Sequence, residues 1–483
     1  MTTNAAAAPR AEGRGRRAFV LAIASATLLR LVLAARLPLW DDEVYYWLWS
    51  RHLSWGYPDH PPLIAAVIAL GTRLFGESPL AIRIIPLLLA SLTSLFVYLA
   101  ARDMFDPPAG RRSAILQLGI PIFAVGVAFA FPDGPMSLFF AFGLWTGWRA
   151  LRVGGWWWIA TGVAIALGLL SKLPAAFLAL GLAGMLADGS WRRALRDRGF
   201  SAGLIVGGLL ITPMILWYAR HDWSILSMPR PAWLENVQSL PLRPLAVAGA
   251  QLAYHGPLAL PLLGSLVVAA RRARDPAWRY ILWMSLPTLA FTLVLSVAGP
   301  GRPHWSTPTY TLAAIGLSVL WPVWWARRRA LLATAVAVSG LITFAVPGYL
   351  LISGVAVDGT TAGWDRAAQI VSREAAAKDA FVIVGGYQSA SQLAFALDRA
   401  HAGLPVTSPV GAFPLWHPPG AYTGRNVLFI DDLNVDAALL LQPFCRDVQP
   451  ATSTVLPGGR TLRLYTCQDF SGSFAGYPLR GFP

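Results

Sequence analysis

The chain has 483 residues, of which 55% are hydrophobic and 13% charged, with a net charge of +15 and a mean hydropathy of +0.52. A soluble globular protein of this length rarely carries that balance, so membrane is the default class. The positive charge does not argue for nucleic acid, because it sits almost entirely on arginines clustered between apolar runs, as in cytoplasmic membrane loops.

The first apolar stretch follows Arg10, Arg14, Arg16 and Arg17. Leu37-Pro38-Leu39-Trp40 offers no small-residue cleavage site, and Arg30 and Arg36 interrupt the stretch, so it reads as a retained span and not a signal peptide. With 18–38, the runs at 79–101, 113–131, 135–152, 156–171, 174–188, 200–219, 244–270, 280–298, 305–325 and 330–352 predict about eleven helical spans. Arginine groups at Arg102, Arg111 and Arg112, at Arg149 and Arg152, at Arg192 to Arg198, at Arg271 to Arg279 and at Arg327 to Arg329 fall in alternate loops. Those loops are expected in the cytoplasm, which puts the N-terminus inside and the C-terminal region outside.

Directly after the first span comes Trp40-Asp41-Asp42-Glu43-Val44-Tyr45-Tyr46-Trp47. A helix running to about Arg51 is expected in the interface plane, with Asp41 as its cap and Asp42 and Glu43 beside its positive dipole end. Capping accounts for one acid and not for three. The sharper reading makes one carboxylate a general base whose pKa is raised by apolar neighbours. Pro58-Asp59-His60-Pro61-Pro62 then opens a second apolar helix to about Phe75, with Asp59 as the natural cap and His60 placed to help hold an anion such as phosphate.

The remaining outer residues are Arg83 at the start of the second span, Asp133 in a proline-flanked turn, Lys172 at a membrane boundary, His221 with Asp222, and Arg302 with His304. For Asp133 a plain turn role, and for Lys172 snorkelling, stand beside the functional readings. Ionisable groups at the hydrocarbon edge mark function, which locates the chemistry on the outer side. Together they suit transfer from a phosphate-activated donor. A departing phosphate is already a stable anion, so one base and a few cations suffice where glycoside hydrolysis commonly needs two carboxylates. A donor used outside the cell is expected to ride on a membrane lipid phosphate. A divalent cation bridging Asp42 and that phosphate is compatible with the residues, yet no ligand spacing requires a cofactor.

From about residue 355 the pattern changes to a small α/β domain, with strands at 381–384, 426–430 and 461–465 and helices at 362–377 and 389–397. Gly385-Gly386 reads as a strand-to-helix turn, with phosphate binding the less favoured alternative. Cys445 and Cys467 lack zinc-site spacing; outside the cytoplasm they permit a disulfide, and two separate buried thiols are the alternative.

The motifs Asp42-Glu43-Val44-Tyr45-Tyr46, Trp55 to Leu63, Phe131 to Pro135, Gly168 to Lys172, Trp217 to Trp223 and His304-Trp305 resemble, in order, those of bacterial members of glycosyltransferase family 39. This family is similar to protein O-mannosyltransferases and the lipid A aminoarabinose transferase. The resemblance implies a mainly α fold of the C-type glycosyltransferase class: a polytopic helix bundle over 1–354, two interfacial helices in the first outer loop, and an extracytoplasmic α/β domain over 355–483. It implies sugar transfer with inversion, in the bacterial inner membrane, from polyprenyl phosphate, expected to be undecaprenyl phosphate, to an envelope acceptor such as lipid A, lipopolysaccharide, a glycan or a protein. Asp42 is then the base and Glu43 its support, with Tyr46, Asp59, His60, Arg83, Asp133, Lys172, His221, Arg302 and His304 around the substrates. His60 stands where the aminoarabinose enzymes carry a lysine. A transporter or lipid flippase is the rival, countered by acids at one boundary instead of the bilayer midplane. A non-catalytic assembly subunit is a second rival.

Overall fold

In the computed structural model, residues 7–189, 191–226, 243–298, 303–353, 359–432, 437–456 and 459–472 are described. The first part of the chain is helical: α1 (Ala7–Arg36), α2 (Asp41–Arg51), α3 (Leu63–Phe75), α4 (Pro79–Met104), α5 (Pro107–Leu118), the single turn α6 (Pro121–Ala124), α7 (Asp133–Val153), α8 (Trp156–Ser171), α9 (Ala176–Ala187) and α10 (Arg198–Ala219). It continues with α11 (Arg243–His255), α12 (Ala259–Arg271), α13 (Pro276–Ala298) and α14 (Thr307–Ser353).

All the apolar runs read from the sequence are helical, but not all as single straight rods. By length and apolarity, four described helices are able to cross a membrane, at 15–36, 79–104, 198–219 and 304–353, or five if the pair α11 and α12, bent by 107°, is one span. The run at 113–131 is broken into α5, α6 and a short turn. Arg30 of α1 satisfies that break: its Nε donates to the Ala124 carbonyl at 3.1 Å, another nitrogen donates to the Phe123 carbonyl, and Nη1 reaches Ser91 Oγ at 3.0 Å. Irregular backbone at membrane depth persists where protein groups take up the freed carbonyls. Inside α14, Arg328 departs from helical dihedrals (φ −138°, ψ 37°), dividing the long rod where Arg327 to Arg329 interrupt the apolar pattern.

Packing in the bundle follows small residues. A Cβ on Gly162 of α8 would fall on the backbone of Gly203 in α10, so these helices approach at backbone distance, as membrane helices do through glycine. A large core runs through α4, α5, α7, α9, α12, α13 and α14, with Trp148, Tyr280, Trp278 and Tyr310 among its buried side chains. α3, with 13 residues, and α2, with 11, are too short to span about 30 Å and lie between α1 and α4 in sequence.

The C-terminal part is α15 (Trp364–Lys378), β1 (Ala380–Val384), α16 (Tyr387–Arg399), β2 (Val406–Thr407), β3 (Asn426–Asp431), β4 (Asp447–Val455) and β5 (Thr461–Gln468). The sheet order is β2-β1-β3-β5-β4. β1 is parallel to β2 and β3, and β5 is antiparallel to β3 and β4. β4 escapes the sequence pattern because it is an exposed edge carrying Pro450, which an edge strand tolerates. Cys445 and Cys467 are disulfide-bonded, with Cα atoms 5.4 Å apart, tying the entry to β4 onto β5.

This α/β segment does not bury its core alone. Tyr45, Trp47 and Trp49 of α2 share one apolar cluster with Trp364, Leu393, Phe395, Phe413 and Leu428. The backbone joins too: Asp41 N–H donates to the Gly359 carbonyl at 2.7 Å and Thr361 N–H to the Leu39 carbonyl at 2.8 Å. The chain thus returns to seat the sheet segment directly on the helix that carries the acidic cluster.

Candidate active site

The first turn of α2 holds its acids in distinct environments. Glu43 turns inward, fully buried, and meets the equally buried Arg83 of α4. Arg83 Nε donates to Glu43 Oε1 at 2.7 Å and Nη2 to Oε2 at 2.6 Å. Its other N–H groups go to the carbonyls of Ala34 (3.0 Å), Leu37 (2.7 Å) and Pro38 (2.8 Å). A guanidinium has five donors, and all are used. Glu43 also accepts the N–H groups of Ala130 at 2.7 Å and Trp40 at 3.0 Å. The pair therefore rivets the end of α1, the start of α2, α4 and the loop before α7. This corrects the expectation for Arg83, which is enclosed and saturated and faces no substrate. Glu43 likewise touches only protein and supports Asp42 through the backbone of α2.

Asp41 is the first helical residue and not the cap; its Oδ1 accepts the Asp42 N–H at 2.8 Å. Asp42, half-buried, accepts the hydroxyl of Tyr387 on Oδ1 at 3.3 Å. Asp59 does not cap α3, whose cap is Pro62. Instead its Oδ2 accepts the Tyr45 hydroxyl at 2.7 Å, and the Tyr45 oxygen in turn accepts the Ala412 N–H at 2.7 Å. Burial and, to a smaller degree, the charge of Asp42 push the Asp59 carboxyl up to about 7, against the opposing hydrogen bond from Tyr45. Burial together with Asp42 and Asp59 holds the Tyr387 hydroxyl well above its ordinary range, so it remains a proton donor.

The loop that presents Asp59 and His60 is held by the end of α10. Trp217 packs where a Cβ on Gly56 would lie, and the Tyr218 hydroxyl donates to the Tyr57 carbonyl at 3.0 Å. His221 stacks on Trp217 with ring centroids 3.9 Å apart and contacts the Trp217 carbonyl through Nδ1 at 2.7 Å. It thus braces this clamp. His60 lies edge-on to Tyr46, centroids 5.9 Å apart. On the bundle side, Lys172 Nζ pairs with Asp133 Oδ2 at 2.7 Å. His60 and His304 both lie within electrostatic range of that Asp133 carboxylate. The structure thereby gathers Asp42, Tyr46, Asp59, His60, Asp133, Lys172 and His304 around the outer ends of α2, α7, α8 and α14. Arg302 lies outside the described residues. No group of three or more His, Cys, Asp or Glu residues with metal-holding geometry occurs among the described residues.

Two contributors were not singled out as site residues from the sequence, Tyr45 and Tyr387. Tyr45 sits inside the acidic motif, and Tyr387 directly follows the Gly385-Gly386 turn at the carboxyl end of β1. That edge of a parallel sheet is where α/β folds commonly place ligand contacts.

Comparison with known proteins agrees with this geometry. A family model described as dolichyl-phosphate-mannose-protein mannosyltransferase matches residues 59–217. The lipid A galacturonosyltransferase RgtD of Rhizobium johnstonii is 26% identical over 452 residues, covering 88% of this chain and 92% of that protein. The undecaprenyl phosphate-alpha-4-amino-4-deoxy-L-arabinose arabinosyl transferase of Pseudomonas aeruginosa is 27% identical over 276 residues, 51% of this chain and 47% of the relative. Among solved structures, apo ArnT from Cupriavidus metallidurans superposes with a TM-score of 0.63 at 16% identity, covering 96% of this chain and 98% of that one. The same enzyme bound to undecaprenyl phosphate gives 0.60 at 16% identity, covering 92% and 97%. At that identity the likeness establishes the fold.

Proposed function

We propose that this chain is an integral-membrane glycosyltransferase that moves a sugar from a polyprenyl phosphate to lipid A. It spans the bilayer about eleven times, with an extracytoplasmic α/β domain over 355–483 resting on the interfacial helix α2. The single observation that carries the reading is the meeting of a partly accessible, hydrogen-bonded Asp42 with the Lys172, His60 and His304 group at one end of the bundle. The full-length similarity to RgtD supports lipid A as the acceptor class.

In this mechanism the acceptor hydroxyl attacks the anomeric carbon while the bond from that carbon to the phosphate oxygen breaks. The acceptor proton passes to Asp42, and the bonding pair leaves with the lipid phosphate, giving inversion. Lys172, held by Asp133, and the His60 and His304 rings face the charge that develops on the leaving phosphate, as preorganised cations and donors do in such sites. Glu43 keeps α2 in register through Arg83, so that the base points at the acceptor.

The test is transfer to lipid A in proteoliposomes, with undecaprenyl phosphate carrying either galacturonic acid or 4-amino-4-deoxyarabinose as donor. Asp42→Asn is expected to lose about two or more orders of magnitude in kcat with donor binding retained. Full turnover in that variant would remove the base assignment; transfer of neither sugar, with lipid A left unchanged, would remove the acceptor reading.

A further inference from the structure

We infer that the C-terminal α/β segment is part of the reaction centre, and that Tyr387 is a positioning residue that orients Asp42 for proton abstraction. This rests on the reading of Asp42 as the base and extends the site to a segment that the family match at 59–217 does not reach.

The argument starts from the carboxyl ends of the parallel strands β1 and β2. The turn after β1 places Tyr387 at the first position of α16, and the loop after β2 brings Gly411 and Ala412 beside it. The N-terminus of α16 is not free to cradle a phosphate: the Gly386 N–H donates to Asp432 Oδ1 at 3.0 Å, and Asp432 Oδ2 is paired with Arg460 at 3.0 Å. What this edge offers to the membrane site is a side chain and one amide. Tyr387 donates to Asp42, and its ring lies 4.5 Å from that of Tyr45. The Ala412 N–H donates to the Tyr45 oxygen, which leaves the Tyr45 proton directed at Asp59. Gly411 adopts φ +70° beneath both phenols, where an added Cβ would press on the Tyr45 hydroxyl and on Tyr387 Cβ.

Each of the two half-buried carboxylates thus receives one phenolic proton, and the α/β segment sets both phenols. A segment serving only as a cover or an acceptor clamp has no need to reach the base. Tyr387 is buried, so its hydrogen bond to Asp42 is made away from bulk water, where it counts most. The titratable groups around Asp42 are Asp41, Tyr45 and Tyr46 on its own helix, Asp59 and His60 in the following loop, Asp133, Lys172 and His304 on the bundle, and Tyr387 above.

The experiment uses the full-length protein in proteoliposomes and Tyr387→Phe, which keeps the ring against Tyr45 and removes only the hydroxyl. A lost hydrogen bond to a charged group predicts a fall in kcat of about tenfold, with the donor KM nearly unchanged. The acid limb of the pH–rate profile is expected to move up by about one pH unit, because the carboxylate loses a donor that favours its anion. In the Asp42→Asn background the same change is expected to have no further effect on residual turnover. A wild-type kcat and pH profile in a Tyr387→Phe protein that melts like the parent would overturn the proposal, as would an equal fractional loss in the Asp42→Asn background. Full activity of Asp42→Asn alone strikes the base assignment and is read separately from either result.

Discussion

Replacing Arg83 by Met separates a rivet from a phosphate ligand. The substitution leaves the Glu43 carboxylate fully buried with only the Trp40 and Ala130 amides as partners, and it strands the carbonyls of Ala34, Leu37 and Pro38. Removing one partner of a buried ion pair costs about 3–5 kcal/mol, because the other charge stays uncompensated. Replacing both, as Arg83→Met with Glu43→Gln, removes the stranded charge and is expected to recover part of that loss, leaving the orphaned carbonyls as the remainder. The assay is thermal unfolding of detergent-purified protein, beside the donor KM of whatever fraction stays folded. The expected outcome is a large drop in melting temperature for the single variant, partial recovery in the double, and an unchanged donor KM in both. A single variant that melts like the parent but shows a raised donor KM would refute the argument and return Arg83 to the substrate.

Further outcomes follow from the same geometry. Lys172→Met leaves Asp133 without its cation and should raise the donor KM by about tenfold or more, read from initial rates against donor concentration. Asp59 is held at about 7, above its unfolded value, so the folded state binds the extra proton. Its contribution to stability therefore falls as pH rises from about 4 to 7 and is constant above. Asp59→Asn should flatten the melting temperature across that window and raise it relative to the parent at pH 8; a steeper profile in the variant would reverse the sign. Reducing the Cys445–Cys467 bond, which closes a loop of sequence separation 22, should cost about 2–4 kcal/mol and expose β4 to limited proteolysis, compared with and without reductant.

The site was legible in the sequence wherever chemistry was written locally. Three acids after an apolar run, a lysine in a chain that has only two, and proline-bounded turns all announce themselves. What was not legible depended on distant partners. Nothing local to Arg83 reveals that Glu43, 40 positions earlier, will occupy it, so a boundary arginine looked like a ligand for phosphate. Asp59 carries cap chemistry but stands too far before Leu63 to use it, and a tyrosine 14 positions earlier claims it. Tyr387 was hidden because its meaning lies in Asp42, 345 positions away. The fold class was readable from composition, whereas the bends at Arg328 and between α11 and α12 reflect how neighbouring helices satisfy broken backbone.

The shared core of α2 and the α/β segment bears on how such a site is kept precise. An interfacial helix of 11 residues is marginal alone, and one end of it must present a base to within a fraction of an ångström. Here it is fixed from below by the Glu43 and Arg83 pair and from above by Trp47 against Phe395, with ring centroids 4.9 Å apart, and by Tyr45 between Tyr387 and Phe413. The lower restraint is polar and fully satisfied inside the bundle, and the upper is aromatic and lies on the water side. Moving the sheet segment would therefore shift Asp42 and Asp59 together. A rate dependence on changes in the α/β segment is the consequence that distinguishes a built-in reaction wall from a passenger.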